Sequence, residues 1–101
     1  MATVYITEYA GVGRSQVGGS YMSVAVTPAV ANQTVAIGAN TQSSAFSTTT
    51  TLIRVHADSV CSIAIGGTNP AATTAIARFA AGQTEYFGVT PGDKLAVISN
   101  T

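Results

Sequence analysis

Cys61 and His56, the only cysteine and the only histidine among 101 residues, are the one nucleophile–base pair this chain could offer. An imidazole activates a thiol only within hydrogen-bond reach. The two residues lie on neighbouring apolar segments, Leu52-Ile53-Arg54-Val55-His56-Ala57 and Val60-Cys61-Ser62-Ile63-Ala64-Ile65, joined around Ala57-Asp58-Ser59. Paired through a two-residue turn, Val55 would face Ser62 and Arg54 would face Ile63, mixing apolar with polar on both faces. Shifted by one residue, Ala57 faces Cys61, Val55 faces Ile63 and Ile53 faces Ile65. That register gives one wholly apolar face, and hydrophobic matching selects it. Cys61 then becomes a small core residue, while His56 and Arg54 lie on the other face with Ser62 and Ala64. No Cys–His dyad is expected. A metal site needs several His, Cys or carboxylate ligands converging, and a lone cysteine rules out an internal disulfide framework.

The remaining motifs are weaker. Gly11-Val12-Gly13-Arg14-Ser15-Gln16 begins like a dinucleotide-binding turn, but Gln16 stands where the third glycine belongs and no helical pattern follows. Asn32-Gln33-Thr34 has the form of a glycosylation acceptor, which matters only in an exported chain. Met1-Ala2-Thr3-Val4-Tyr5 lacks the basic and apolar regions of a secretion signal. Of the four carboxylates, Asp93 belongs to a turn, and Glu8, Asp58 and Glu85 are spread without the spacing of a hydrolytic pair. The expectation is a non-enzyme with no catalytic residue, metal or cofactor.

The aromatic residues say more. Tyr5, Tyr9 and Tyr21 fall in the glycine-rich N-terminal fifth with Met22 beside them, and Tyr5 and Tyr9 share one strand face by parity. Two readings stay open. The tyrosines could cap the core with hydroxyls at the surface, or Tyr5, Tyr9, Tyr21 and Met22 could form an interface patch, since Tyr and Met are enriched at interface cores.

These residues must be positioned by β structure. Thr3–Tyr9, Tyr21–Val26, Gln33–Ile37, Leu52–Ala57, Val60–Ile65, Thr84–Val89 and Lys94–Ile98 all read as strands, rich in β-branched and aromatic residues and bounded by turn formers. The Ser/Thr/Ala/Gln tract from Thr41 to Thr51 reads as a strand or strand edge with a polar outer face, and a further strand is expected around Ala75–Phe79. Thr90-Pro91-Gly92-Asp93 has the type II signature, Pro then Gly at the central positions, and should join the last two strands as a hairpin. The expectation is one domain over residues 1–101, with a glycine-rich loop or arm at 10–20. About seven or eight short strands would form a single all-β sandwich or jelly roll.

Composition narrows the role. Lys and Arg number four, Asp and Glu four, so charged residues are 8% of the chain and the formal net charge is zero. Ordinary soluble domains carry about a quarter, and a net charge away from zero keeps free monomers apart. No basic stripe offers a nucleic-acid surface, and no apolar run approaches the ~18 residues of a membrane span. A chain of 10.1 kDa should expose about 5,300 Å², and a standard interface takes about 800 Å² per partner. Two or three such contacts fit on one subunit, as an assembly requires.

The C-terminal half resembles small virion accessory proteins of tailed bacteriophages. The segments that carry the likeness are Leu52-Ile53-Arg54-Val55-His56, Cys61-Ser62-Ile63-Ala64-Ile65-Gly66, Ala81-Gly82-Gln83-Thr84-Glu85-Tyr86-Phe87-Gly88-Val89 and Pro91-Gly92-Asp93-Lys94-Leu95-Ala96-Val97-Ile98. The resemblance implies a virion structural role, a capsid decoration or cement protein that bridges capsid subunits, assembled in the host cytoplasm. Its expected partners are the major capsid protein or other virion proteins and further copies of itself, as a trimer. A head–tail connector, tail or baseplate piece is the nearest alternative. A receptor- or carbohydrate-binding module of a fibre is another, and it needs an aromatic platform that a chain with four Tyr and no Trp supplies poorly.

Overall fold

The computed structural model describes residues 2–14 and 21–100. Within them the chain forms ten strands: β1 (Thr3–Tyr9), β2 (Val12–Arg14), β3 (Tyr21–Ala25), β4 (Ala31–Ala36), β5 (Thr41–Gln42), β6 (Leu52–Ala57), β7 (Cys61–Ile65), β8 (Arg78–Phe79), β9 (Thr84–Gly88) and β10 (Leu95–Ser99). Ten replace the expected seven or eight because β2, β5 and β8 are only two or three residues long. Val12–Arg14, expected within a glycine-rich loop or arm, pairs antiparallel with β3 as a separate two-stranded ribbon. Residues 15–20 of that arm lie outside the described residues.

Two four-stranded antiparallel sheets make up the body. The first has the order β4-β1-β6-β9 and the second β5-β10-β7-β8. Strict alternation builds the first sheet: Val4 and Ile6 on β1 and Ile53, Val55 and Ala57 on β6 point inward and are buried. The second sheet contributes Cys61, Ile63, Phe79, Leu95 and Val97 to the same core cluster, and Phe46 and Val35 join it. Each fully buried Leu, Ile or Val contributes about 1.5–3 kcal/mol relative to exposure. The sandwich-like all-β architecture expected from the sequence is therefore present.

Its wiring differs from the expected hairpins. β6 does not pair with β7; it pairs with β1 and β9, while β7 pairs with β10 and β8. The short link between them crosses from one sheet to the other. Asp58 holds the end of β6 against β1, its Oδ1 accepting the Thr3 N–H at 2.6 Å and its own N–H donating to the Thr3 carbonyl at 3.2 Å. Val60 is drawn the other way, its carbonyl accepting from Asn100 N–H at 3.3 Å beyond β10. Ile53, Val55 and Ala57 thus meet Cys61 and Ile63 across the core instead of side by side. An alternating pattern is equally satisfied by neighbours in one sheet and by strands facing each other in two.

The same correction applies to the last pair. β9 lies beside β6 and β10 between β5 and β7. The Thr90–Asp93 turn does have the expected form, with Gly92 at φ +87° and Asp93 N–H donating to the Thr90 carbonyl at 3.0 Å. It carries the chain between sheets because Asp93 Oδ1 accepts from Gly67 N–H at 3.1 Å at the end of β7.

The Thr41–Thr51 tract is a strand only at Thr41–Gln42. Beyond it, side chains replace the ladder. Ser43 Oγ accepts the Leu95 N–H at 2.9 Å, Phe46 is buried, and Thr50 Oγ1 donates to Glu8 at 2.8 Å. Ser and Thr compete with regular structure in this way. The strand expected around Ala75–Phe79 shortens to Arg78–Phe79 for a related reason: a turn near Thr73–Ile76 lays the chain over β7.

Candidate functional site

The outer surfaces of the two sheets receive different residues. On the second sheet, Ser62 and Ala96 are completely buried although they point away from the core, and the segment preceding β8 lies against Ser62. Ser62 Oγ donates to the Ile76 carbonyl at 3.3 Å, and Asn100 Nδ2 donates both to Ser62 Oγ at 2.7 Å and to the Thr74 carbonyl at 3.1 Å. Ser62, expected on one face with Arg54 and His56, lies on the other sheet.

The outer surface of the first sheet keeps Tyr5, Asn32, Thr34 and Tyr86 exposed among the described residues. Pairing aligns its outward residues in cross-strand rows, Thr34–Tyr5–His56–Thr84 and Asn32–Thr7–Arg54–Tyr86, with Tyr9 beside Leu52 in the next. Tyr5 is 46% exposed and Tyr86 55%. Between β4, β1 and β6 lies an open hollow of about 530 Å³, lined by Tyr5, Thr7, Asn32, Thr34, Arg54 and His56. The Tyr5 and His56 rings are 6.4 Å apart and tilted by 46°, and His56 Nδ1 lies 2.6 Å from Thr84 Oγ1. A second, more apolar groove of about 340 Å³ runs between the ribbon and β6–β9, lined by Val12, Val24, Ala25, Leu52 and Tyr86.

Of the four expected interface residues, Tyr5 and Tyr9 do share the outer face of β1. Tyr21 and Met22 lie in β3, and their side chains fall outside the described residues. Tyr86 was not expected on this face. Parity within its own segment could not reveal that β9 pairs with β6, so only the fold brings it beside Arg54.

Cys61 is in the core and His56 on the outer face of the opposite sheet, so the thiol and imidazole are separated by the sandwich. Burial pushes the Cys61 thiol above its ordinary value, and the Asp58 carboxylate adds to the rise. A protonated, enclosed thiol is a poor nucleophile. The carboxylates are occupied in holding the fold. Asp58 and Asp93 bind turn amides, and Glu85 accepts from Gln83. Glu8 is buried on the inner side of β1, accepting from Ser47 N–H at 2.9 Å, Thr50 Oγ1 at 2.8 Å and Gln33 Nε2 at 3.0 Å. The signal for its burial was available, because Val4, Ile6 and Glu8 have the same parity. Among the described residues no group of three His, Cys, Asp or Glu could hold a metal ion. Val12–Arg14 of the Gly11–Gln16 segment lie in a β-ribbon, not the helix a dinucleotide turn requires, and Ser15 and Gln16 fall outside the described residues.

No protein-family model, curated protein or solved structure matches this chain. The functional reading therefore stands on the outer face itself.

Proposed function

We propose that this protein is a non-enzymatic virion structural component, a decoration or cement protein that works by packing its outer β surface against other protein. The observation that carries this reading is the bare side of the β4-β1-β6-β9 sheet. There Tyr86, Leu52, Val12 and Val24 line a groove, with Val26 and Val30 also exposed on the chain that follows, in a molecule with eight formal charges cancelling to zero. The accessible surface is 5458 Å², so one standard contact of about 800 Å² takes about 15% of it. Several modest contacts joined through an oligomer, proposed as a trimer, add up by effective concentration. The phage-like strand and turn pattern of the C-terminal half supports a capsid as the partner.

Quantitative mass spectrometry of purified virions tests the reading. Decoration of a capsid lattice requires hundreds of copies per particle. About a dozen or fewer would instead fit a connector, tail or baseplate ring, and absence from the particle would end the virion proposal.

A further inference from the structure

We propose that the hollow between β4, β1 and β6 is a binding site for a carboxylate-bearing saccharide. Arg54 is the reason to look there. It is half-buried on the outer face, in cross-strand register with Thr7 and Tyr86, and no described carboxylate or other acceptor pairs with it. A guanidinium presents five N–H donors in a planar fork that matches a carboxylate. Among the described residues the only other charged or titratable wall residues are His56 and Tyr5, and no Asp or Glu lines the hollow. Glu8, one residue along β1 from Thr7, faces the core and is already bound by three donors. The electrostatics of the hollow therefore favour an anion carrying one negative charge. A phosphate site would draw on several cations or a nest of backbone N–H groups, and this wall has one guanidinium among neutral groups.

The neutral part of the wall suits a sugar. Asn32, Thr34 and Thr7 offer amide and hydroxyl groups, and His56 Nε2 has no partner among the described residues. Tyr5 adds an exposed ring against which the C–H face of a pyranose can pack. A volume of about 530 Å³ is within the usual range for small-ligand sites, roughly 300–1,000 Å³, and accommodates a disaccharide. This site lies on the β4 side of the sheet and adjoins the β9 groove assigned to protein contact where Arg54 stands beside Tyr86, but the two are read by different variants and measurements, so either assignment can fail without the other.

Amide chemical-shift mapping on the whole 101-residue chain tests it, with a disaccharide of glucuronic acid and N-acetylglucosamine as probe. Saturable shifts are expected at Tyr5, Thr7, Asn32, Thr34, Arg54 and His56. Arg54→Gln should weaken binding about tenfold or more, the size of one lost charge-assisted hydrogen bond, with the melting temperature unchanged. Arg54→Lys should recover part of the loss, and Tyr5→Ala should weaken binding severalfold. The assignment is overturned if the neutral disaccharide of glucose binds equally well, or if acetate or inorganic phosphate alone produces the same shifts at the same concentration. It is also overturned if no wall amide moves, or if sugar-free protein shows the same shifts on raising its own concentration, which would make a second copy the occupant.

Discussion

The two outer faces of this sandwich present the same kind of surface to different fates. On the second sheet the chain folds back over itself. The segment before β8 lies against Ser62, which like Ala96 is completely buried, and Asn100 fastens it to β7. On the first sheet nothing among the described residues covers Tyr5, Thr34, Asn32 or Tyr86. A face the fold finishes with its own loop needs only small residues beneath it. The face left open by the described residues carries tyrosines, an Arg with no described partner and a row of Asn and Thr, and Tyr and Arg are enriched at interface cores.

The comparison breaks first at Ala96. Ala96→Asp would bury a carboxylate without a partner at a completely enclosed position, and should destabilise the protein by about 3–5 kcal/mol. Thr34→Asp on the bare face should stay within about 0.5 kcal/mol of wild type. Denaturant unfolding of both variants decides it; equal costs would mean the two faces are not differently covered.

Cys61 calibrates the core that both faces share. Cys61→Ser should cost about 1–3 kcal/mol through a hydroxyl buried without adequate partners, and the native thiol should resist rapid labelling. Its raised pKa also sets a sign. The contribution to stability is complete below the unfolded thiol's pKa and is lost as pH rises from there through the folded value. The alkaline fall in melting temperature should therefore be shallower in Cys61→Ala than in wild type.

The arch between the sheets gives a smaller effect. Gly92 has φ +87° with open space where a Cβ would sit, so Gly92→Val carries backbone strain alone, about 1–2 kcal/mol. An unchanged melting temperature would contradict that conformation.

The positions of the longer strands and most of their inward faces are legible in the sequence, because alternation is local, whereas the two- and three-residue strands β2, β5 and β8 are not. The sequence predicts β1 to the residue, Thr3–Tyr9, and puts Cys61, Val55 and Ile63 in one apolar set, as they are in the core. What alternation could not supply was partnership. Both expected hairpins are crossings between sheets, held by Asp58 to Thr3 at one and by Asp93 to Gly67 at the other, each beside backbone bonds. The bare face was half legible for the same reason. Tyr5 and Tyr9 share a strand, whereas Tyr86 and Arg54 join them only through pairings far apart in the chain.

Oligomeric state tests the central claim most directly, that the β9 side of the bare face is built to be covered by other protein. Light scattering coupled to size exclusion at micromolar concentration should give a discrete oligomer for the wild type. Tyr86→Lys and Val24→Lys, both at exposed positions, should shift it toward the monomer without lowering its melting temperature. A wild type that elutes as a soluble 10.1 kDa monomer, or charged variants that assemble unchanged, would contradict the account.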